Sequence, residues 1–398
     1  MLHLRFINNT KEANKALENI QVDPSGIKMM NSKALHYTIK VEDLQIKAAL
    51  ILKQDMLSIG GEVALPRDVM NLKDEKTTAI LMATKKQYEK LIDKIKEQPF
   101  GLKQLSEELT LLLINIEKQH NSIKAYNFTL NLTKPLIMGI INVTPDSFSD
   151  GNEHFSTEKA VEHAKKLIQD GADIIDIGGE STKPGSESIT VEEELNRVLP
   201  VIEKLVQDNI NIPISIDTYK PEVADKCLQA GATILNDITA LQNEEMRTLA
   251  SKHQCPVVIM HMQGTPKDMQ TNPEYNDVVD DIINFLSRQI KVAEASGITN
   301  IVVDPGIGFG KTVQDNLTIL NRLNEFKILG KPILIGLSRK AFIGKVNNTE
   351  VDNRLEGTLA ANTIALQNKT NIIRVHDVKE HKKVLEIFNA IQYGENHG

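Results

Sequence analysis

The sequence predicts an α/β protein: a TIM-type (β/α)8 barrel preceded by a small α/β or α+β domain. Three observations carry this. Eight short apolar runs between residues 136 and 376 each lead into polar or charged residues. Stretches with helical periodicity separate them. A barrel needs roughly 250 residues, and the chain of 398 has room for one over 126–398, leaving 1–125 for a second domain.

The runs follow in order. LIMGIIN ends on Asn142, and DIIDIGGEST carries Asp176, Glu180 and Thr182. PISID ends on Asp217, ATILND on Asn236 and Asp237, VVIMH on His261, and NIVVD on Asp304. PILIGLS leads into Arg339 and Lys340, and NIIRVH delivers Arg374 and His376. Apolar runs of this length between turn residues read as buried parallel strands. Barrel active sites lie at the C-terminal strand ends, which is where these polar residues fall. The same pattern therefore locates a site.

Between the runs lie amphipathic helices. In 158–169 the apolar positions Ala160, Val161, Ala164, Leu167 and Ile168 share one face, and Gly171 supplies a stop. Val191 to Gln207 starts after Thr190, a suitable cap, with acidic residues in its first turn. Pro221 suits a helix start, and Gly231 and Gly297 suit helix ends. The alternating NFTLNLT (127–133) predicts a hairpin plugging the bottom of the barrel.

In the N-terminal domain LHLRF (2–6), HYTIK (36–40) and TAILMAT (78–84) read as strands. Helices are expected around 42–54, 85–96 and 100–119, with QHNSIKAYN as the linker. GGEVALPRD (60–68) reads as a structural loop. Nothing in residues 1–125 marks a catalytic cluster.

Composition narrows the class. The chain is 41% apolar and 25% charged, ordinary for a soluble globular protein. No apolar run approaches the length of a membrane span, and the N-terminus lacks a signal-peptide core. Cys227 and Cys255 are too few for a disulfide framework and read as small buried residues. A cytoplasmic protein with no membrane partner is expected. Residues 1–130 carry a balance of +3 and residues 131–398 one of −10. So acidic a barrel argues against nucleic acid, whereas Arg339, Lys340, Arg374 and His376 could hold a small anion.

Two motif imitations fail. DPGIGFGKT (304–312) has Pro305 where a Walker A loop needs its first glycine, and Lys311 where G-x-G-x-x-G needs its last. Its glycines suit a tight loop with close backbone approach to a planar ligand. His253, Cys255 and His261 sit at opposite ends of one strand, which does not suit zinc.

Taken together, MGIINVTPDSFSDG (138–151), GADIIDIGGESTKPG (171–185), PISIDTYKPEVA (213–224), ILNDI (234–238), VVIMHMQGTP (257–266), DPGIGFGKT, LSRKAFIG (337–344) and RVHD (374–377) resemble dihydropteroate synthases. The resemblance covers about 126–390. It implies condensation of a dihydropterin methyl diphosphate with 4-aminobenzoate, giving 7,8-dihydropteroate and diphosphate, with these small molecules as partners and Mg2+ as cofactor. By resemblance Asp217, Asn236, Asp304 and Lys340 hold the pterin, whose amino-pyrimidinone edge needs matched acceptors and donors. Arg374 and His376, two apart and on one face, would clamp the diphosphate. Asn142, assisted by Asp146, would hold the magnesium ion. The loops at 144–151 and 180–185 would close over the pterin and form the aminobenzoate pocket with Phe148, Thr182, Pro184 and Lys340. Asp217, Lys340, Arg374 and His376 are the expected catalytic residues. Lys183 and Asn152 depart from the family's usual Arg and Gly, which implies altered loop energetics. A homodimer is the family's expectation.

Two other readings are weighed. A pterin-binding methyltransferase acting between methyltetrahydrofolate and a corrinoid protein would have no diphosphate to hold, leaving Lys340, Arg374 and His376 superfluous. An inactive scaffold would not need the full set of chemical residues.

Overall fold

The computed structural model describes residues 1–71, 75–144, 153–181 and 185–394, without the side chains of 70 and 153–156. Two compact units divide at Lys118 and Gln119.

In the first unit, β1 (His36–Gln45) pairs antiparallel with β3 (Lys76–Thr84), which pairs with β2 (Glu62–Ala64). Helices α3 (Ile46–Ser58), α4 (Lys85–Ile95) and α5 (Leu102–Glu117) supply the rest of its core, around Leu52, Met56, Leu81, Tyr88, Leu91 and Leu109. The buried Tyr88 hydroxyl lies 2.9 Å from the Leu81 carbonyl and 3.1 Å from that of Tyr37. Two short helices, α1 (Thr10–Glu18) and α2 (Pro24–Met30), precede the sheet.

Three expectations change here. Residues 2–6 form no strand: Leu2, Leu4 and Phe6 are 99%, 79% and 81% exposed, so their alternation has no face to bury. The helix expected from 42 begins at Ile46, because β1 continues through an irregular register between Val41 and Leu44. Within 60–68, Glu62–Ala64 is the edge strand rather than loop.

The second unit opens with a hairpin, β4 (Ser122–Ala125) and β5 (Phe128–Asn131), so the expected linker already contains a strand. Eight parallel strands follow: β6 (Leu136–Asn142), β7 (Ile174–Gly178), β8 (Ile214–Asp217), β9 (Ile234–Asp237), β10 (Val257–Met260), β11 (Ile301–Asp304), β12 (Leu334–Ile335) and β13 (Ile372–Val375). Their order is β11-β10-β9-β8-β7-β6-β13-β12, and a parallel bridge between Val303 and Ile333 closes the ring. The helices between them are α6 (Glu153–Gln169), α7 (Val191–Gln207), α8 (Pro221–Ala230), α9 (Glu244–His253), α10 (Val278–Ala295), α11 (Val313–Asn321), α12 (Ala341–Asn347) and α13 (Leu355–Gln367). The last, α14 (Val378–Tyr393), follows β13.

Local signals explain the helix limits. The Thr190 side chain accepts from the Glu193 N–H at 3.1 Å, and Pro221 opens α8. Gly171, Gly231 and Gly297 stand at positive φ where helices end.

Strand periodicity sorts the barrel into two surfaces. Odd positions of β7 and β10, such as Ile175, Ile177, Val257 and Ile259, face the helices in the main core. The alternate set Met138, Ile174, Ile234, Val258, Val302, Leu334 and Ile372 forms an inner layer with Ile123, Ala125, Leu130 and Leu132 of the hairpin. That layer seals the lower end. The next inward positions, Asp176, Ser215, Asn236, Asp304 and Arg374, are polar.

Candidate active site

At the C-terminal strand ends the barrel opens into a cavity of about 1140 Å³. Asn142, Asp217, Asn236, Asp304, Lys340, Arg374 and His376 all line it. Inward parity explains this gathering: each residue stands two or four positions above the sealing layer on its strand, or just beyond it. Thr182, Phe148, Pro184 and Asp146, with Lys183 and Asn152, lie outside the described residues.

One guanidinium organises the floor. Arg374 donates from Nε to Asp176 Oδ2 at 2.5 Å and from Nη2 to Asp217 Oδ2 at 2.7 Å. Asn236 Nδ2 donates to both oxygens of Asp176, at 3.2 and 3.4 Å. A carboxylate only accepts, so Asp176 fixes the amide with its oxygen turned away. Burial pushes the Asp217 carboxyl up to about 7, opposed by Arg374 and reinforced by the nearby Asp176. The Arg374 guanidinium is itself held above its usual range by the two carboxylates, against its burial.

Across the cavity, Asp304 Oδ1 accepts the Gly306 N–H at 2.7 Å, and burial raises its carboxyl pKa. The Lys340 ammonium lies 4.2 Å from the centre of the Phe309 ring. Burial, with Arg374 nearby, brings Lys340 down to about 8. His376 Nδ1 lies 2.9 Å from Ser338 Oγ, and its Nε2 lies 3.5 Å from Asn142 Nδ2. Burial, then Arg374 and Arg339, lower His376 to about 4. At neutral pH it contributes hydrogen bonds and no charge, so of Lys340, Arg374 and His376 only the first two supply positive charge.

Some strand-end residues do not join the site. Asp237 has the opposite parity to Asn236 and caps the following turn, accepting from Thr239 and Leu241. His261 also points outward, edge-on to Phe285 of α10 with ring centres 5.0 Å apart. Its Nδ1 lies 3.0 Å from the buried Lys311 ammonium, which also donates to the Phe309 and His261 carbonyls. Arg339 does line the cavity and is paired with Asp377 at 2.6 Å.

Two of the three glycines of 304–312 serve a different purpose from the one expected, while Gly308 lines the cavity. A Cβ on Gly306 (φ +70°) would stand 1.9 Å from the His261 carbonyl oxygen. One on Gly310 (φ +64°) would stand 2.4 Å from that of Gln263. Close approach to the neighbouring loop, not to a ligand, demands glycine at both positions.

Sequence reading gave no role to Asp176, although a carboxylate inside an apolar strand was a signal. It also missed Lys220, Glu194 and Ser338. Glu194 is 1% exposed although it sits among three glutamates at the start of α7, where a solvated first turn was the simpler reading.

The shift at His376 gives a direct check. An imidazole whose pKa is lowered stays neutral until the pH falls to the lowered value. An NMR titration of the His376 ring should therefore show its midpoint near pH 4. A midpoint near that of a free imidazole, about 6.5, would show that the ring is charged in mildly acid solution and that its burial is wrongly described.

Comparison with known proteins shows the family of the chain. The sequence model of the family described as pterin binding enzyme matches residues 138–376. A Helicobacter pylori protein named bifunctional dihydropteroate synthase/dihydropteroate reductase is 34% identical over 386 residues, 96% of this chain and 98% of that protein. A Halobacterium salinarum protein named probable bifunctional folylpolyglutamate synthase/dihydropteroate synthase is 38% identical over 98% of this chain, which spans only 47% of that relative. Crystal structures of the Xanthomonas albilineans dihydropteroate synthase superpose well. The one with 4-aminobenzoic acid has TM-score 0.66 and 43% identity, covering 69% of this chain and 99% of that one. The one with 7,8-dihydropteroate has 0.63 and 41%, covering 68% and 99%. The chain belongs to the dihydropteroate synthase family of pterin-binding enzymes, transferases of folate biosynthesis.

Proposed function

We propose that the chain joins (7,8-dihydropterin-6-yl)methyl diphosphate to 4-aminobenzoate, releasing diphosphate and 7,8-dihydropteroate. The observation that carries this is one cavity that gathers Asp217, Asn236 and Asp304 together with Arg374, Lys340 and His376. Acceptors for a pterin edge, two cations for a diphosphate and the neutral His376 ring thus line one cavity.

In the reaction the C–O bond to diphosphate breaks, taking the electron pair with it. The pterin ring delocalises the positive charge left at its methylene. The amine of 4-aminobenzoate attacks that carbon and gives up one proton, so no Ser or Cys nucleophile is needed. Asp217, Asn236 and Asp304 bind and orient the pterin. Buried carboxylate charge favours the cationic transition state without reorganisation. Arg374 and Lys340 steady the departing diphosphate, and neutral His376 adds a hydrogen bond. Arg374 is bonded to Asp217, so a pterin held by Asp217 exchanges that contact for one to the ring.

Among the described residues no group of three or more His, Cys, Asp or Glu side chains could hold a metal ion. A sparse oxygen site still suits magnesium, which keeps several waters. Asn142 fits. Its amide nitrogen faces His376, and among the described hydrogen bonds its oxygen makes none. Asn142, with Asp146 beyond the described residues, would hold the ion, which when bound supplies positive charge to the leaving diphosphate.

The deciding experiment measures diphosphate release by the purified chain, with dihydropteroate confirmed by mass. Release should require 4-aminobenzoate and stop with EDTA. Asp217→Asn should lower turnover by about 10²–10³ with the fold intact. Release of nothing from a protein that still binds the pterin would favour the methyltransferase or scaffold reading.

The H. pylori relative aligns over 96% of this chain, which takes in most of residues 1–118, and its name includes a reductase. That observation supports a second activity: two-electron reduction of the dihydropteroate formed, at the expense of a reduced nicotinamide or flavin. Adding reduced nicotinamide and flavin to the same assay should then yield tetrahydropteroate. Its absence, with synthase turnover intact, would remove this activity.

We also infer a homodimer in the cytoplasm. Ile364 on α13 and Ile387 and Ile391 on the neighbouring α14 are exposed apolar residues, and both cysteines are buried and unpaired. Sedimentation should give twice the chain mass, and Ile391→Glu should reduce it. A monomer at micromolar concentration would contradict this.

A further inference from the structure

Beside the cavity stands a buried cation that the proposed reaction does not use. Lys220, at the start of α8, directs its ammonium group to Glu180 Oε2 at 2.5 Å, Glu194 Oε2 at 2.6 Å and the Ile189 carbonyl at 2.8 Å. All three ammonium protons are thereby used. Glu180 is equally occupied: its Oε1 accepts from the Tyr219 hydroxyl at 2.8 Å and its Oε2 also takes the Ile189 N–H at 3.3 Å. Side-chain exposure is 12% for Lys220, 8% for Glu180 and 1% for Glu194.

This cluster joins three pieces of chain. Glu180 lies at the exit of β7, Ile189 and Glu194 at the start of α7, and Tyr219 and Lys220 in the turn that follows Asp217. Arg197 of α7 adds a bond from Nη1 to the Gly179 carbonyl at 2.8 Å. Glu180 and its neighbour Ser181 line the cavity. The deeper polar groups Asn236, Asp304 and Lys340 hang on other strands and make no described contact with Lys220. The clasp therefore holds one stretch of the cavity wall, at the rim, in register with Asp217.

We propose that Lys220 is a positioning residue for the second substrate: through Glu180 it fixes the rim wall against which 4-aminobenzoate is held while the pterin lies deeper. The assignment rests on the synthase reading above. A buried cation between two carboxylates is a demanding arrangement, because removing one partner leaves uncompensated charge. Simple packing of α7 against α8 would be met by apolar residues. Here the charge is spent on a residue of the cavity wall.

The test compares the full chain with Lys220→Met and Lys220→Arg, measuring KM for 4-aminobenzoate, kcat, and the dissociation constant of the dihydropterin diphosphate. Lys220→Met should raise KM for 4-aminobenzoate about tenfold while pterin affinity stays within about twofold. Lys220→Arg, which keeps the charge, should recover part of the loss. An unchanged KM in folded Lys220→Met, or equal weakening of both ligands, would overturn the proposal, since a purely structural role gives no such split. If Lys220→Met does not fold, Tyr219→Phe deletes only one bond to Glu180. It should show the same split at smaller size, and no split there would also overturn the proposal. Wild-type turnover in the same assay separates the two failures. Without it the synthase reading falls and takes this role with it; with it, an unmoved KM removes the Lys220 role alone.

Discussion

The cavity depends on one guanidinium shared by two buried carboxylates. Arg374 on β13 reaches Asp176 on β7 and Asp217 on β8, so a single residue ties three strands together above the sealed floor. Three ionised groups inside a barrel are costly unless each is paired. Asp176 has two partners, Arg374 and Asn236, and is fully buried. Asp217 has Arg374 as its partner, and burial pushes its carboxyl up to about 7. The inequality between two chemically identical carboxylates follows from their surroundings. Asp176 is fixed by its bonds to Arg374 and Asn236, and Asp217 is the one available to exchange its partner for a ligand.

Much of this was legible in the sequence, for a reason that particular strands make plain. A parallel strand covered on both faces is apolar throughout, so a polar residue at its end stands out. Asn142, Asp217, Asn236, Asp304, Arg374 and His376 are visible in this way, and the cavity gathers all of them. Reading strand ends without strand parity overreached at Asp237 and His261, one position away from the inward set. Arg339 lines the cavity, but sequence does not reveal that Asp377 pairs with it. Lys220 and Glu194 were invisible because surface and interior positions of an amphipathic helix start carry the same charged residue types. Only contacts between elements distant in sequence distinguish them.

The glycines of 304–312 teach the same lesson. Their spacing excluded the nucleotide loops, but the purpose of Gly306 and Gly310 lay in the adjoining segment at 261–263, where the backbone passes too close for any Cβ. The N-terminal unit was less readable still. Its edge strand is only three residues long, Glu62–Ala64, and its first apolar alternation at 2–6 is exposed. Short, half-exposed elements leave weak periodicity, whereas the barrel repeats its pattern eight times.

The synthase reading and the geometry meet at one contact, the 2.7 Å bond between Arg374 and Asp217. The most direct measurement is a crystal structure of the chain with the dihydropterin diphosphate bound. The predicted result is a pterin ring deep in the barrel, accepted by Asp217, Asn236 and Asp304, with Arg374 released from Asp217 toward the diphosphate. A ring bound elsewhere, or bound with the Arg374–Asp217 pair intact, would contradict it.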